Sequence, residues 1–226
     1  MPTVQKIRAY AKRTVCQSNL RQIVLAWQMY FNDYDGRFYQ GLNAHYLFGG
    51  WMARYEDSNR PLNPYLSLPL IPETEDSAKV FKCTADKSTG VAEYQSSIYV
   101  WSGNSYKTNI LLVGQTQMGA SSKFPDGELK DKINARLDGL RLSKTSRPSE
   151  LIFVGDHGGA LQWLTGYSQQ VSWHKKEDHH NMAFLDGHVG FIWVRKGLFI
   201  TEDYCAIPFK DLYKLTREVQ VEIPRE

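Results

Sequence analysis

Apolar residues recur at three- and four-residue spacing near the start of the chain: Val4, Ile7, Ala11 and Val15, then Cys16, Leu20, Ile23, Trp27, Phe31 and Tyr34. That period marks one stripe of an amphipathic helix. The span contains no glycine, and its one neighbouring proline, Pro2, stands where helix starts accept it. At 1.5 Å per residue such a helix is about 45 Å long, more than a small domain is wide, so its first half is expected to project. Val24, Leu25, Ala26, Met29 and Tyr30 widen the stripe in the second half, which predicts that the rest of the chain wraps it. Asp35-Gly36 supplies the stop, because glycine takes a left-handed backbone at low cost. NDYDG has only part of a calcium loop. Phe31 stands where the first oxygen ligand belongs, and the closing acid is absent.

Residues 37–80 mix aromatics with Gly, Pro and Asn, which predicts ordered irregular structure with short helical turns around 62–66 and large rings covering helix and sheet. FKCTAD at 81–86 reads as a short strand and turn, SSIYVW at 96–101 as a strand, and GQTQMGASSKFPDGELKDK at 114–132 as a surface loop. Residues 151–154 form a buried-strand pattern that breaks at Gly155-Asp156. In NMAFLDGHVGFIWV, residues 181–194, two apolar runs meet at Asp-Gly, the signature of a type I′ hairpin whose two central residues both need φ > 0. Residues 208–216 read as a short helix. A long helix followed by hairpin-linked strands is α+β rather than a βαβ series. The expected organisation is a helix over residues 1–36 packed on an antiparallel sheet, with a C-terminal hairpin, in a globular head over 37–226.

Composition supports one folded unit: 226 residues, 42% of them hydrophobic, with no Pro/Gly/Ser-rich linker. A net charge of only +3 argues against nucleic acid as a general partner. The charge is unevenly placed, since residues 1–32 hold Lys6, Arg8, Lys12, Arg13 and Arg21 and no acid. Such a face is either solvated or set against phospholipid headgroups or an acidic partner. The sequence has no run of about 18 apolar residues and no recognisable signal peptide. Because MPTVQKIRAYAKRTV enters the basic helical pattern at once, something is expected to precede it in the full gene product.

Walker A, GxGxxG, GxSxG and HExxH patterns are all absent, which removes the common nucleotide, hydrolase and zincin readings. Cys16, Cys83 and Cys205 are far apart and form no CxxC or Cys/His motif, so a structural zinc site is not expected from them. They fit either one disulfide plus a free thiol or three buried thiols. The remaining chemistry-bearing group is Asp156, His157, His174, His179, His180, Asp186 and His188. Imidazole and carboxylate together suit Zn, Mn or Fe, and Asp156, His174, Asp186 and His188 are the candidate ligands of a divalent metal, in a metal-binding or metal-dependent enzymatic head as the alternative reading. Turn formation already accounts for Asp186, however, and HKKEDHH has the mixed charge of an exposed loop. With no Ser or Cys nucleophile beside them in sequence, catalysis is not expected and the chain is read as a non-enzyme.

KRTVCQSNLRQIVLAWQMYFNDYDGRF (12–38) resembles the helix of prepilin-like proteins that carry the processing-associated H-X9-DG C-terminal domain. The matching positions are Cys16, Asn19-Leu20, Gln22, Leu25, Met29-Tyr30 and Asp35-Gly36. RPLNPYL, FKCTAD, NSYKTN, RPSELIFVGD and NMAFLDGHVGF extend the resemblance over nearly the whole chain. It implies a pilin or pseudopilin, a structural subunit of an extracellular filament or secretion pseudopilus. Its partners would be further protomers and the secretion or pilus machinery. It would sit at the cell surface or in the periplasm and be anchored in the inner membrane before assembly through a segment missing here. Val4, Ile7, Ala11 and Val15 would belong to the assembly helix. The resemblance also implies a Cys16–Cys83 disulfide, which would close a loop of roughly 68 residues and stabilise by ~4 kcal/mol. Two positions depart from the pattern: Lys176 stands ten residues before Asp186 where the family's histidine is expected, and Thr84 stands where the family often has proline.

Overall fold

A computed structural model of the chain describes residues 2–41, 43–53, 59–87, 97–113, 127–165 and 173–223. The first element is helix α1, Pro2–Asp33, about 48 Å long at 1.5 Å per residue. Its stripe changes character at Cys16. From there Leu20, Ile23, Val24, Trp27 and Phe31 are buried, whereas Val4, Ile7, Tyr10 and Val15 before it are exposed. The helix stops as expected: Asp35 and Gly36 take φ of +54° and +68°, and Gly36 N–H donates to Phe31 O at 2.7 Å.

Among the described residues four antiparallel strands follow, paired in chain order: β1 (Tyr106–Thr108), β2 (Ile152–Asp156), β3 (His179–Phe184) and β4 (Val189–Trp193). The buried half of α1 packs against β2, β3 and β4. Trp27 and Phe31 meet Phe153 of β2 at 5.4 and 5.9 Å between ring centroids, and Phe38 and Phe48 close the cluster. The aromatics just after α1 thus cover helix and sheet. Directly after β2 the chain enters α5 (His157–Thr165), which lies over β1, β2 and β3. Side chains alternate across the strands, so His180 and Met182 turn toward Gly159 of α5, while Asn181 turns the other way and binds Asp156. The fold is α+β, a long N-terminal helix on an antiparallel sheet that ends in a hairpin.

Several local expectations need correction. Residues 98–102 form helix α3 (Ile98–Ser102), not a strand, because Ser97 Oγ caps it by accepting from Val100 N–H at 3.1 Å. FKCTAD contains no strand. A 3-10 helix, Glu75–Phe81, runs into a turn there, with Asp86 N–H donating to Cys83 O. The hairpin turn is not type I′. Leu185, Asp186 and Gly187 form a three-residue loop closed by Phe184 N–H to His188 O at 2.9 Å, and only Gly187 has positive φ, +98°.

Of the remaining short elements, a 3-10 turn Asn63–Leu66 and α6 (Tyr213–Val219) lie near their expected places; α2 (Ala44–Leu47) was not expected, and α4 (Glu128–Asn134) stands where the end of a surface loop was expected, because Leu129 and Ile133 bury on one face. Most of the expected loop at 114–132 lies outside the described residues. Among the described residues no helix is long and apolar enough to cross a membrane.

Candidate functional site

Where α1 enters the core, three distant parts of the chain meet. Cys16 comes from the helix, Cys83 from the turn after the 3-10 helix Glu75–Phe81, and His174 from the segment before β3. The donor atoms of the three, both sulfurs and a ring nitrogen, lie within 4.8 Å of one another, and all three residues are buried. Asp156, at the end of β2 and 1% exposed, lies next to His174.

Cys83 Sγ is 3.5 Å from His174 Nε2, and the same nitrogen is 3.5 Å from Asp156 Oδ2. Thr84 N–H donates to Cys16 Sγ at 3.2 Å, while Asn181 donates to Asp156 Oδ2 from its backbone at 2.8 Å and from Nδ2 at 3.2 Å. Among the described residues Asp156 Oδ1 and His174 Nδ1 have no hydrogen-bond partner.

The electrostatics favour separated charges. The Cys83 thiol, as hydrogen-bond donor, brings Cys16 down to about 5. Burial opposes this, and His174 and Thr84 reinforce it. Burial also works against a charged His174, but Asp156 and Cys16 outweigh it and raise the ring to about 9. Burial, with Cys16 next to it, pushes Cys83 up. These shifts favour negative charge on Cys16 over Cys83 and positive charge on His174. The site is not a relay of the Cys–His–Asp type, because Cys83 and Asp156 share one ring nitrogen instead of taking opposite ones.

Of the four metal ligands expected from sequence, only Asp156 and His174 share a site. Asp186 and His188 stand at the hairpin tip, half a strand and a turn from the end of β2, which is ~15 Å at about 3.4 Å per residue. There Asp186 Oδ1 accepts from His188 N–H at 3.1 Å and meets His188 Nδ1 at 2.7 Å, and the His188 ring stacks on Phe184 at 4.1 Å. Those two residues build the turn, and the four cannot hold one ion.

Cys16 and Cys83 do meet, and both are free thiols in this structure. Cys205 lies elsewhere, donating to Ile207 O at 3.1 Å. His180 binds Gln162 Oε1 at 3.0 Å on the α5 side, and His179 lies against Glu177 O. The sequence reading missed the Cys/His cluster, since its donors are dispersed; Cys83 and His174 are separated by 91 positions.

Beside this cluster the first half of α1 forms one wall of a groove of about 530 Å³ lined by Lys6, Tyr10, Arg13, His174, Lys175 and Lys176. Arg13 lies over the rings of Tyr10 and Phe191 at 4.3 and 4.4 Å, which fixes its guanidinium on the helix flank. The exposed half-helix therefore has an apolar stripe and a cationic flank. No protein-family model, curated protein or solved structure matches this chain.

Proposed function

We propose that this chain is a structural subunit, pilin- or pseudopilin-like, of an extracellular filament or secretion pseudopilus. One observation carries the reading. The stripe that builds the core from Cys16 onward continues toward the N-terminus as Val4, Ile7, Ala11 and Val15, all exposed on the first half of the helix. A partly exposed Val or Ile that becomes buried between helices contributes ~1–2 kcal/mol, so three or four such residues per protomer are enough to favour lateral helix packing. Lys6, Arg8, Lys12 and Arg13 on the same half suit phospholipid headgroups before assembly. The resemblance of 12–38 and of the Asp186-Gly187 hairpin to prepilin-like proteins points the same way.

The reading is tested in the source cells by shearing surface filaments and probing the fraction with antibody to the head. The chain is expected in that fraction, and Ile7→Glu is expected to deplete it there at least tenfold at unchanged cellular level. Absence of the wild-type chain from both surface filaments and periplasmic assemblies would overturn the reading.

A further inference from the structure

We propose that Cys16, Cys83 and His174 form a binding site for one thiophilic divalent cation of the Zn²⁺ class, with Asp156 as a buried acidic neighbour of His174. Two sulfurs and an imidazole nitrogen within 4.8 Å of one another form a donor set that selects Zn²⁺ over Mg²⁺ or Ca²⁺, which take oxygen.

The spacing fits a shared ion. In a tetrahedron with metal–sulfur bonds of about 2.3 Å and metal–nitrogen or metal–oxygen bonds of about 2.1 Å, the S···N edge is about 3.6 Å and the N···O edge about 3.4 Å. The Cys83 Sγ to His174 Nε2 and His174 Nε2 to Asp156 Oδ2 separations are both 3.5 Å. The second is too long for a direct N–H···O hydrogen bond, which spans about 2.7–3.2 Å. The ring is therefore spaced from Cys83 Sγ as two ligands around a common ion are spaced, while Asp156 stands beside the ring as a buried acidic neighbour outside the three-donor set.

The surroundings support the same conclusion. Thr84 N–H donates to Cys16 Sγ, the kind of contact that favours a metal thiolate over a thiol. Asn181 orients Asp156 through Oδ2 and leaves Oδ1 buried with no partner among the described residues. A buried carboxylate oxygen in that state costs free energy that a neighbouring cation relieves. The bound ion would tie α1, at the residue where it enters the core, to the turn at 83–84 and to the segment at 173–174. It would thereby fix the direction in which the exposed half of the helix leaves the head. This proposal is independent of the filament reading.

The test uses the full chain, purified without an affinity tag and under reductant, with Co²⁺ as the probe and Zn²⁺ as competitor. The expected result is one Co²⁺ per chain with the intense visible bands of a tetrahedral ion and thiolate charge-transfer bands, displaced by one Zn²⁺. Cys16→Ser and Cys83→Ser should each weaken binding about tenfold or more, and Cys205→Ser should leave it unchanged. Circular dichroism checks that the variants fold; if a serine variant unfolds, the wild-type spectrum decides alone, since it must show two thiolates. Substoichiometric Co²⁺, a weak octahedral spectrum, or equal affinity in folded Cys16→Ser and Cys83→Ser proteins would overturn the proposal. So would a titration of the native chain, denatured without reductant, that finds one thiol instead of three, because a Cys16–Cys83 disulfide consumes both sulfur donors.

Discussion

Leu20→Ala and Ile7→Ala, made separately, compare two apolar positions on one helix in opposite surroundings. Leu20 is 0% exposed, beneath the sheet and the aromatic cluster, so its truncation loses transfer free energy and leaves a cavity. The expected cost is ~3 kcal/mol, within the 2–5 kcal/mol typical of buried Leu→Ala. Ile7 is 62% exposed. With about two fifths of its side chain covered, it loses at most ~1 kcal/mol of burial. Alanine's better helix propensity returns up to ~0.5 kcal/mol of that, so the net change is within ~0.5 kcal/mol. Urea unfolding followed by tryptophan fluorescence measures both, because Trp27 sits in the core that opens. For a chain of this size ~3 kcal/mol corresponds to roughly 6–12 °C in Tm, and the Ile7 variant should shift by less than about 2 °C. Comparable losses from both variants would mean that the first half of α1 is packed against the head, and the account of a projecting helix would fail.

Acid should destabilise the protein through its buried neutral histidines. Burial holds His180 at about 4, and burial reinforced by Lys107 holds His157 at about 3, against 6.5 for a free side chain. Below pH 6.5 the unfolded chain takes up protons that the native state refuses, so stability falls toward the folded values, by ~2 kcal/mol per histidine at pH 5. His180→Asn should remove about 2 kcal/mol of the difference in urea stability between pH 7.5 and pH 5; an unchanged difference would contradict the assignment. Gly155→Ala places a Cβ 2.3 Å from Met182 Sδ and 2.6 Å from Asn181 O, and is expected to cost ~2–3 kcal/mol in the same denaturation assay. Asn109 donates through Nδ2 to Ile152 O and Ala206 O and accepts from Leu111 N–H through Oδ1, all in the core. Asn109→Ala should therefore cost ~3 kcal/mol, and a loss below about 1 kcal/mol would show that the strand edge does not depend on it.

The large elements were legible because each has a local signature. The three-and-four spacing from Val4 to Phe31, the Asp35-Gly36 stop and the apolar run before Gly155 gave α1, its end and most of β2, but the break expected at Gly155-Asp156 is absent, because both residues pair with β1. Length and the wider stripe at 24–30 indicated that the second half of the helix is the buried one, but the change at Cys16 itself was not legible, because the three-and-four spacing runs through it unbroken. Local propensity misled at 98–102. Ile98, Tyr99 and Val100 favour strands, yet a serine cap and packing against the turn after Phe81 made them helical. The hairpin was placed correctly, but its turn type was not, because Asp-Gly also closes a three-residue loop in which Asp186 stays at negative φ and Gly187 alone turns left-handed.

The Cys16, Cys83, His174 and Asp156 cluster was the least legible feature. No two of its members share an element, and only the folding of three segments onto the sheet brings them together. The nearest hint was the resemblance that paired Cys16 with Cys83. The reasoning from residues alone had Asp156 and His174 as candidate ligands but joined them to Asp186 and His188, at the far end of β3.

The central claim is that this chain assembles through the exposed half of α1, and a cryo-electron microscopy reconstruction of filaments sheared from the source cells tests it most directly. The account predicts density for this chain with Val4, Ile7 and Val15 packed between neighbouring helices at the filament axis and the β1–β4 sheet turned outward. Filaments built from other subunits alone, or a reconstruction in which those three side chains face solvent, would contradict it.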